Sequence, residues 1–139
     1  MEDSEEVEAY LNQLSLRLQE LGVEEPYYAW YLVSNYGKQS EIIVDKVSYF
    51  LNEFVDEQLI RAELWYCVHH EMTNGLSDFF VRRSGRLYFD IHSIYRYRAI
   101  VEQDLVKYLG WDEARLAREN AYLDLLLDDA TTYYDHEFE

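Results

Sequence analysis

His69-His70-Glu71-Met72 is the first segment whose residue types alone suggest chemistry. A zinc-binding helix of the His-Glu-x-x-His kind puts two imidazoles four residues apart on one face, with a glutamate between them as base. Here His70-Glu71 runs on into Met72, Thr73 and Asn74, and the second imidazole is missing. His92 and His136 have no local partner at ligand spacing. The reading preferred from the residues is of partly buried histidines beside an ion-paired glutamate, with no metal. Cys67 stands two residues before His69, and a nucleophilic thiol would need a base in an electropositive, partly open site. Its position between Trp65 and Val68 suits a small core side chain better.

Arg82-Arg83-Ser84-Gly85-Arg86 is the densest group of cations. Guanidinium forks bind phosphates and carboxylates bidentately, so this run is able to grip either. Residues 61–98 hold Arg61, Arg82, Arg83, Arg86, Arg96 and Arg98 against Glu63, Glu71, Asp78 and Asp90, a local charge of +2 in a chain of net charge −16. Because acids nearly match cations there, the expected arrangement is an internal network of Glu63, Glu71, Asp78, Arg82, Arg83 and Arg86 that ties consecutive helices together. Asp78 and Arg82 stand four apart with the acid first, the favourable helical order.

The elements that must position these side chains read as helices. Of 139 residues only five are Gly and one is Pro, too few for the turns of an all-β sandwich. Asp3 with Glu6 has capping-box spacing, and Val7, Leu11, Leu14, Leu18 and Leu21 form one stripe that Gly22 closes. Pro26 suits a first helical turn, and Tyr27–Tyr36 ends at Gly37. Ser40 opens another helix, Asp56 or Glu57 the next, and Thr73-Asn74-Gly75 interrupts before Leu76, Phe79, Phe80 and Arg83 continue. Asp90 caps the run Ile91–Leu109, which Gly110 stops, and Asp112 caps the last helix with Leu116, Leu123 and Leu127 inside. The predicted fold is all-α, a compact bundle of about five to six helices. Its expected organisation is an acidic helical linker or insertion over 1–25, a helical cap domain over 26–130 and a frayed acidic tail over 131–139.

Composition excludes several functions. The strong negative charge disfavours nonspecific binding to nucleic acid or an anionic membrane. One cysteine rules out an internal disulfide, and no apolar run approaches the roughly 20 residues of a membrane span. The acidic start Met1-Glu2-Asp3-Ser4-Glu5-Glu6 is unlike a secretory signal, so a cytoplasmic protein is expected. There is no Gly-x-Gly-x-x-Gly, Walker A or Gly-x-Ser-x-Gly sequence. The residues by themselves lead to an acidic helical domain with no visible active site.

A longer pattern adds to this. Ala62-Glu63-Leu64-Trp65-Tyr66-Cys67-Val68-His69-His70-Glu71-Met72, followed by Leu76-Ser77-Asp78-Phe79-Phe80-Val81-Arg82-Arg83-Ser84-Gly85-Arg86, resembles the C-terminal helical domain of FAD-dependent glycerol-3-phosphate dehydrogenases and alpha-glycerophosphate oxidases. That family carries Ala-Glu-x-x-Tyr-x-x-x-x-Glu-Met and then Leu-x-Asp-x-x-x-Arg-Arg-x-x-Arg. Leu109-Gly110-Trp111-Asp112 with Arg115 and Glu119 resembles its Leu-Gly-Trp ending, and Leu32-Val33-Ser34-Asn35-Tyr36-Gly37 its opening segment. The likeness runs over about residues 28–127; Ser84-Gly85 departs from the family's usual Arg-Arg-Thr, and the first 25 residues exceed the core match.

The resemblance implies a parent enzyme that oxidises sn-glycerol 3-phosphate to dihydroxyacetone phosphate, passing a hydride to FAD and then to quinone or dioxygen. It places the flavin and substrate sites in another part of that chain, so no catalytic, cofactor-binding or metal residue is expected here. The expected partner is the FAD and substrate domain of the same polypeptide, with any homo-oligomer formed through the parent, which would be peripheral to the membrane if quinone-linked. It also implies that Glu63, Glu71, Asp78, Arg82, Arg83 and Arg86 are motif positions. The alternative reading is a freestanding acidic helical protein-interaction module.

Overall fold

Seven α-helical segments follow one another, and no strand occurs among the described residues. The computed structural model describes residues 4–25, 27–50, 54–84 and 86–137. The helices are α1 (Ser4–Glu20), α2 (Tyr27–Tyr36), α3 (Ser40–Val47), α4 (Val55–His70), α5 (Arg86–Phe89), α6 (Ile91–Leu109) and α7 (Glu113–Glu137). Since α5 is a single turn, six are longer than one turn, and the all-α expectation holds. The proposed capping of α1 by Asp3 and the role of Pro26 lie outside the described residues.

The chain divides into two units, residues 1–66 and 67–139, with the division falling inside α4. In the first, α1 packs on α2 and α3. The α1 stripe buries Leu14 and Leu18 fully and leaves Val7, Leu11 and Leu21 half-buried. Its end is a Schellman motif: Gly22 is left-handed (φ 102°), its N–H donates to the Gln19 carbonyl, and Val23 N–H donates to the Leu18 carbonyl. Buried Val23 and Leu18 supply the apolar contact that accompanies such a turn. Ile43, Val44 and Val47 complete this core from α3, and Leu59, Ile60, Ala62 and Leu64 line α4. Each fully buried aliphatic side chain contributes about 1.5–3 kcal/mol.

In the second unit the core is Leu76, Phe79, Phe80, Ile94, Val101, Leu105, Leu123 and Leu127, all almost fully buried. Asp90 caps α6 by accepting from Ser93 N–H, and Ser93 returns its hydroxyl to the Asp90 carbonyl at 2.7 Å. Asp112 caps α7 by accepting from Arg115 N–H at 2.7 Å. Gly110 ends α6 in the left-handed conformation (φ 67°).

Two local features depart from a plain helical reading. Leu76 and Ser77 begin an α-helical turn, but Asp78–Arg83 forms a π-helix, closed by Ser84 N–H on the Phe79 carbonyl at 2.8 Å, five residues back. The buried Ser84 hydroxyl also donates to that carbonyl, at 2.9 Å. Met72, 86% exposed, adopts the left-handed conformation (φ 58°) usually reserved for Gly. There the Cys67 carbonyl accepts from both Glu71 and Thr73 N–H. At the other end, α7 continues to Glu137, past the point where 131–139 reads as a tail. Residues 130–137 contain no Gly or Pro, and the Thr131 hydroxyl bonds back to the Leu127 carbonyl without leaving the helix.

Candidate functional site

Six residues carry the sequence-derived site, and they fall in both units. Glu63 lies in the first, on α4, and only 2% of it is exposed. Its Oε2 accepts from the Tyr31 and Tyr36 hydroxyls, each at 2.5 Å, and both phenols are buried on α2. The Tyr66 ring stands edge-on to Tyr36 at 5.5 Å. Two phenol donors on one carboxylate oxygen satisfy a buried charge and fasten α2 to α4. Local charge matching did not single out these tyrosines.

The other five lie in the second unit. Arg83, at the end of the π-helix, donates from Nη2 to the Glu71 main-chain carbonyl at 2.8 Å and from Nη1 to Glu71 Oε2 at 3.4 Å. Arg83 and Glu71 are therefore brought together, and the guanidinium also holds an orphan carbonyl past the end of α4. Asp78 accepts from Asn74 N–H at 3.3 Å, which makes it a cap for the turn that enters its own helix. The Arg82 side chain lies outside the described residues, so the expected Asp78–Arg82 pair does as well. Arg86 is 5% exposed, with its guanidinium carbon 5.9 Å from the Tyr97 ring centroid.

His69 and His70 are exposed, contrary to the expected partial burial; they occupy the last turn of α4, where the chain turns away at Glu71 and Met72. The His69 ring meets Tyr108 edge-on at 5.2 Å. Among the described residues no three His, Cys, Asp or Glu gather in a metal-binding group. Cys67 is fully buried.

Two further polar centres were not found by local spacing. Arg98 on α6 bonds Asn120 Oδ1 at 2.8 Å through Nη2, the Asn120 carbonyl at 3.2 Å, Glu102 at 3.2 Å and Asp124 at 2.7 Å. Burial pulls this guanidinium down, but hydrogen bonds to Asp124 and Glu102 outweigh it and leave Arg98 above its ordinary value. The second centre joins α7 to the turn before the π-helix. Glu119 Oε1 accepts from Leu76 N–H at 3.1 Å, and Arg115 donates to the Asn74 carbonyl at 3.2 Å. A Cβ at Gly75 would stand 2.5 Å from Glu119 Oε1, so that glycine admits the carboxylate. Arg115 also lies over the Trp111 ring at 5.1 Å. The signal available in sequence was the motif Trp111-Asp112…Arg115…Glu119, which names the residues without their partners some 40 positions upstream.

Among the described residues these groups brace turns, through Arg83, Arg115 and Glu119, and helix pairs, through Glu63 and Arg98. Within the first unit, a cavity of about 220 Å³ is lined by Arg17, Glu20, Leu21, Val44, Asp45 and Ser48. It is smaller than usual small-molecule sites, and Arg17 there is already paired with Asp45.

The model for the C-terminal domain of alpha-glycerophosphate oxidase matches residues 7–116. The aerobic glycerol-3-phosphate dehydrogenase of Bacillus subtilis is 34% identical over 102 residues, which cover 71% of this chain and 18% of the relative. The enzyme of that name from Staphylococcus haemolyticus is 30% identical over 105 residues, covering 72% and 18%. The chain thus spans about a fifth of the length of these relatives. In fold it is similar to the glycerol-3-phosphate dehydrogenase from Bacillus halodurans solved with FAD, with a TM-score of 0.76 and 24% identity over 89% of this chain and 25% of that one. The chain belongs to the family of alpha-glycerophosphate oxidase C-terminal domains.

Proposed function

We propose that this chain serves as the C-terminal helical domain of an FAD-dependent glycerol-3-phosphate oxidoreductase. The parent oxidises sn-glycerol 3-phosphate to dihydroxyacetone phosphate and hands the hydride to FAD, which is reoxidised by dioxygen or quinone. The carrying observation is the family match over residues 7–116 in a chain that spans only 18% of its relatives.

The described residues do not fit FAD themselves. Its diphosphate is usually cradled by a glycine-rich turn between a strand and a helix. No strand is present among the described residues, and the small cavity carries the carboxylates of Glu20 and Asp45, which would repel phosphate. The redox step therefore belongs to the FAD and substrate domain of the same polypeptide, and this domain packs on it without reacting. Glu63, Glu71, Asp78, Arg82, Arg83 and Arg86 serve as a structural ion network. Nucleic acid is not a partner, and any homo-oligomer forms through the parent.

No helix among the described residues is long and apolar enough to cross a membrane. We read the protein as cytoplasmic, with the parent peripheral to the membrane if quinone is its acceptor.

Incubating the purified chain with FAD, followed by gel filtration, is expected to leave no flavin absorbance on the protein. Adding glycerol 3-phosphate should produce neither dihydroxyacetone phosphate nor hydrogen peroxide. Stoichiometric retention of flavin, or turnover, would overturn this reading.

A further inference from the structure

We draw no further inference here: the strongest candidate, the exposed aromatic patch that Tyr27 and Trp30 form on α2, carries nothing because nothing in the structure shows what covers it.

Discussion

In residues 1–66 the buried carboxylate of Glu63 accepts from two phenols and the Arg17–Asp45 pair is exposed, whereas in residues 67–139 partly buried guanidiniums reach carboxylates and main-chain carbonyls. Composition follows the same division. The first stretch has four Lys and Arg against 14 acids, and the second eight against 14. A phenol neutralises no charge, but it supplies a strong donor with few rotamers to freeze. Arginine brings charge and several donors, so one side chain holds several acceptors at once. Arg83, Arg98 and Arg115 each reach a main-chain carbonyl, of Glu71, Asn120 and Asn74. The carbonyls of Glu71 and Asn74 lie in irregular backbone, whereas Asn120 is inside α7, so the arginines of this stretch brace both turns and helix pairs.

The sharpest way to break this contrast is at Glu63. Glu63→Ala removes the carboxylate that accepts from two buried hydroxyls, and the expected loss is about 4 kcal/mol, read from urea unfolding. Glu63→Gln keeps an acceptor oxygen and should lose about half as much. A Glu63→Ala chain with an unchanged urea midpoint would remove the phenol–carboxylate cluster from the account of stability.

Within the second unit, the two arginines test how far burial sets the strength of a fork. Both Arg98 and its partner Glu102 have side chains 19% exposed, whereas Arg83 and Glu71 are 35% and 34% exposed. Arg98→Ala should cost about 3 kcal/mol and Arg83→Ala about 1 kcal/mol, the difference reflecting solvent screening. Arg98→Lys should recover little, since one ammonium cannot span Asn120, Glu102 and Asp124 together. Equal losses at the two arginines would show that burial does not rank them.

A smaller effect is expected at Gly75. An added methyl displaces the Glu119 carboxylate from Leu76 N–H, for a loss of about 1–2 kcal/mol. In a Glu119→Ala background the same change should be close to neutral, so a double-mutant cycle isolates the coupling. Additive losses would mean that Glu119 does not fill the space Gly75 leaves open.

What could be read from sequence is what depends on neighbours in the chain. Gly22, Gly110, Asp90 and Asp112 act through backbone groups a few residues away, so their types and positions announce the helix ends. The π-helix over Asp78–Arg83 has no such signature: its apolar residues suit either winding, and the five-residue bond from Ser84 N–H to the Phe79 carbonyl is seen only in the structure. Met72 gave no warning either, because an exposed residue accepts a left-handed turn at little more than local cost. At the site, the Arg83–Glu71 spacing of 12 is short enough for charge matching to suggest. Glu63 lies 32 and 27 residues from its tyrosines, and Glu119 lies 43 from Leu76. Those partners are chosen by packing, which local charge counts do not register.

The smallest expected effect concerns Tyr10 on α1, whose hydroxyl donates to the Lys38 carbonyl at 2.9 Å. Burial, with the Glu41 carboxylate as a second cause, raises this phenol above its ordinary value of 10.0. The folded chain therefore holds the Tyr10 proton more tightly than the unfolded chain does. Its stabilising contribution is complete below about pH 10 and is lost as pH rises through the folded-state value. The informative quantity is a difference between two chains that share every other tyrosine. Urea midpoints between about pH 9 and pH 11 should fall less steeply for Tyr10→Phe than for the unaltered chain. Parallel slopes would show that the bond to Lys38 and the proximity of Glu41 do not distinguish this phenol from a solvated one.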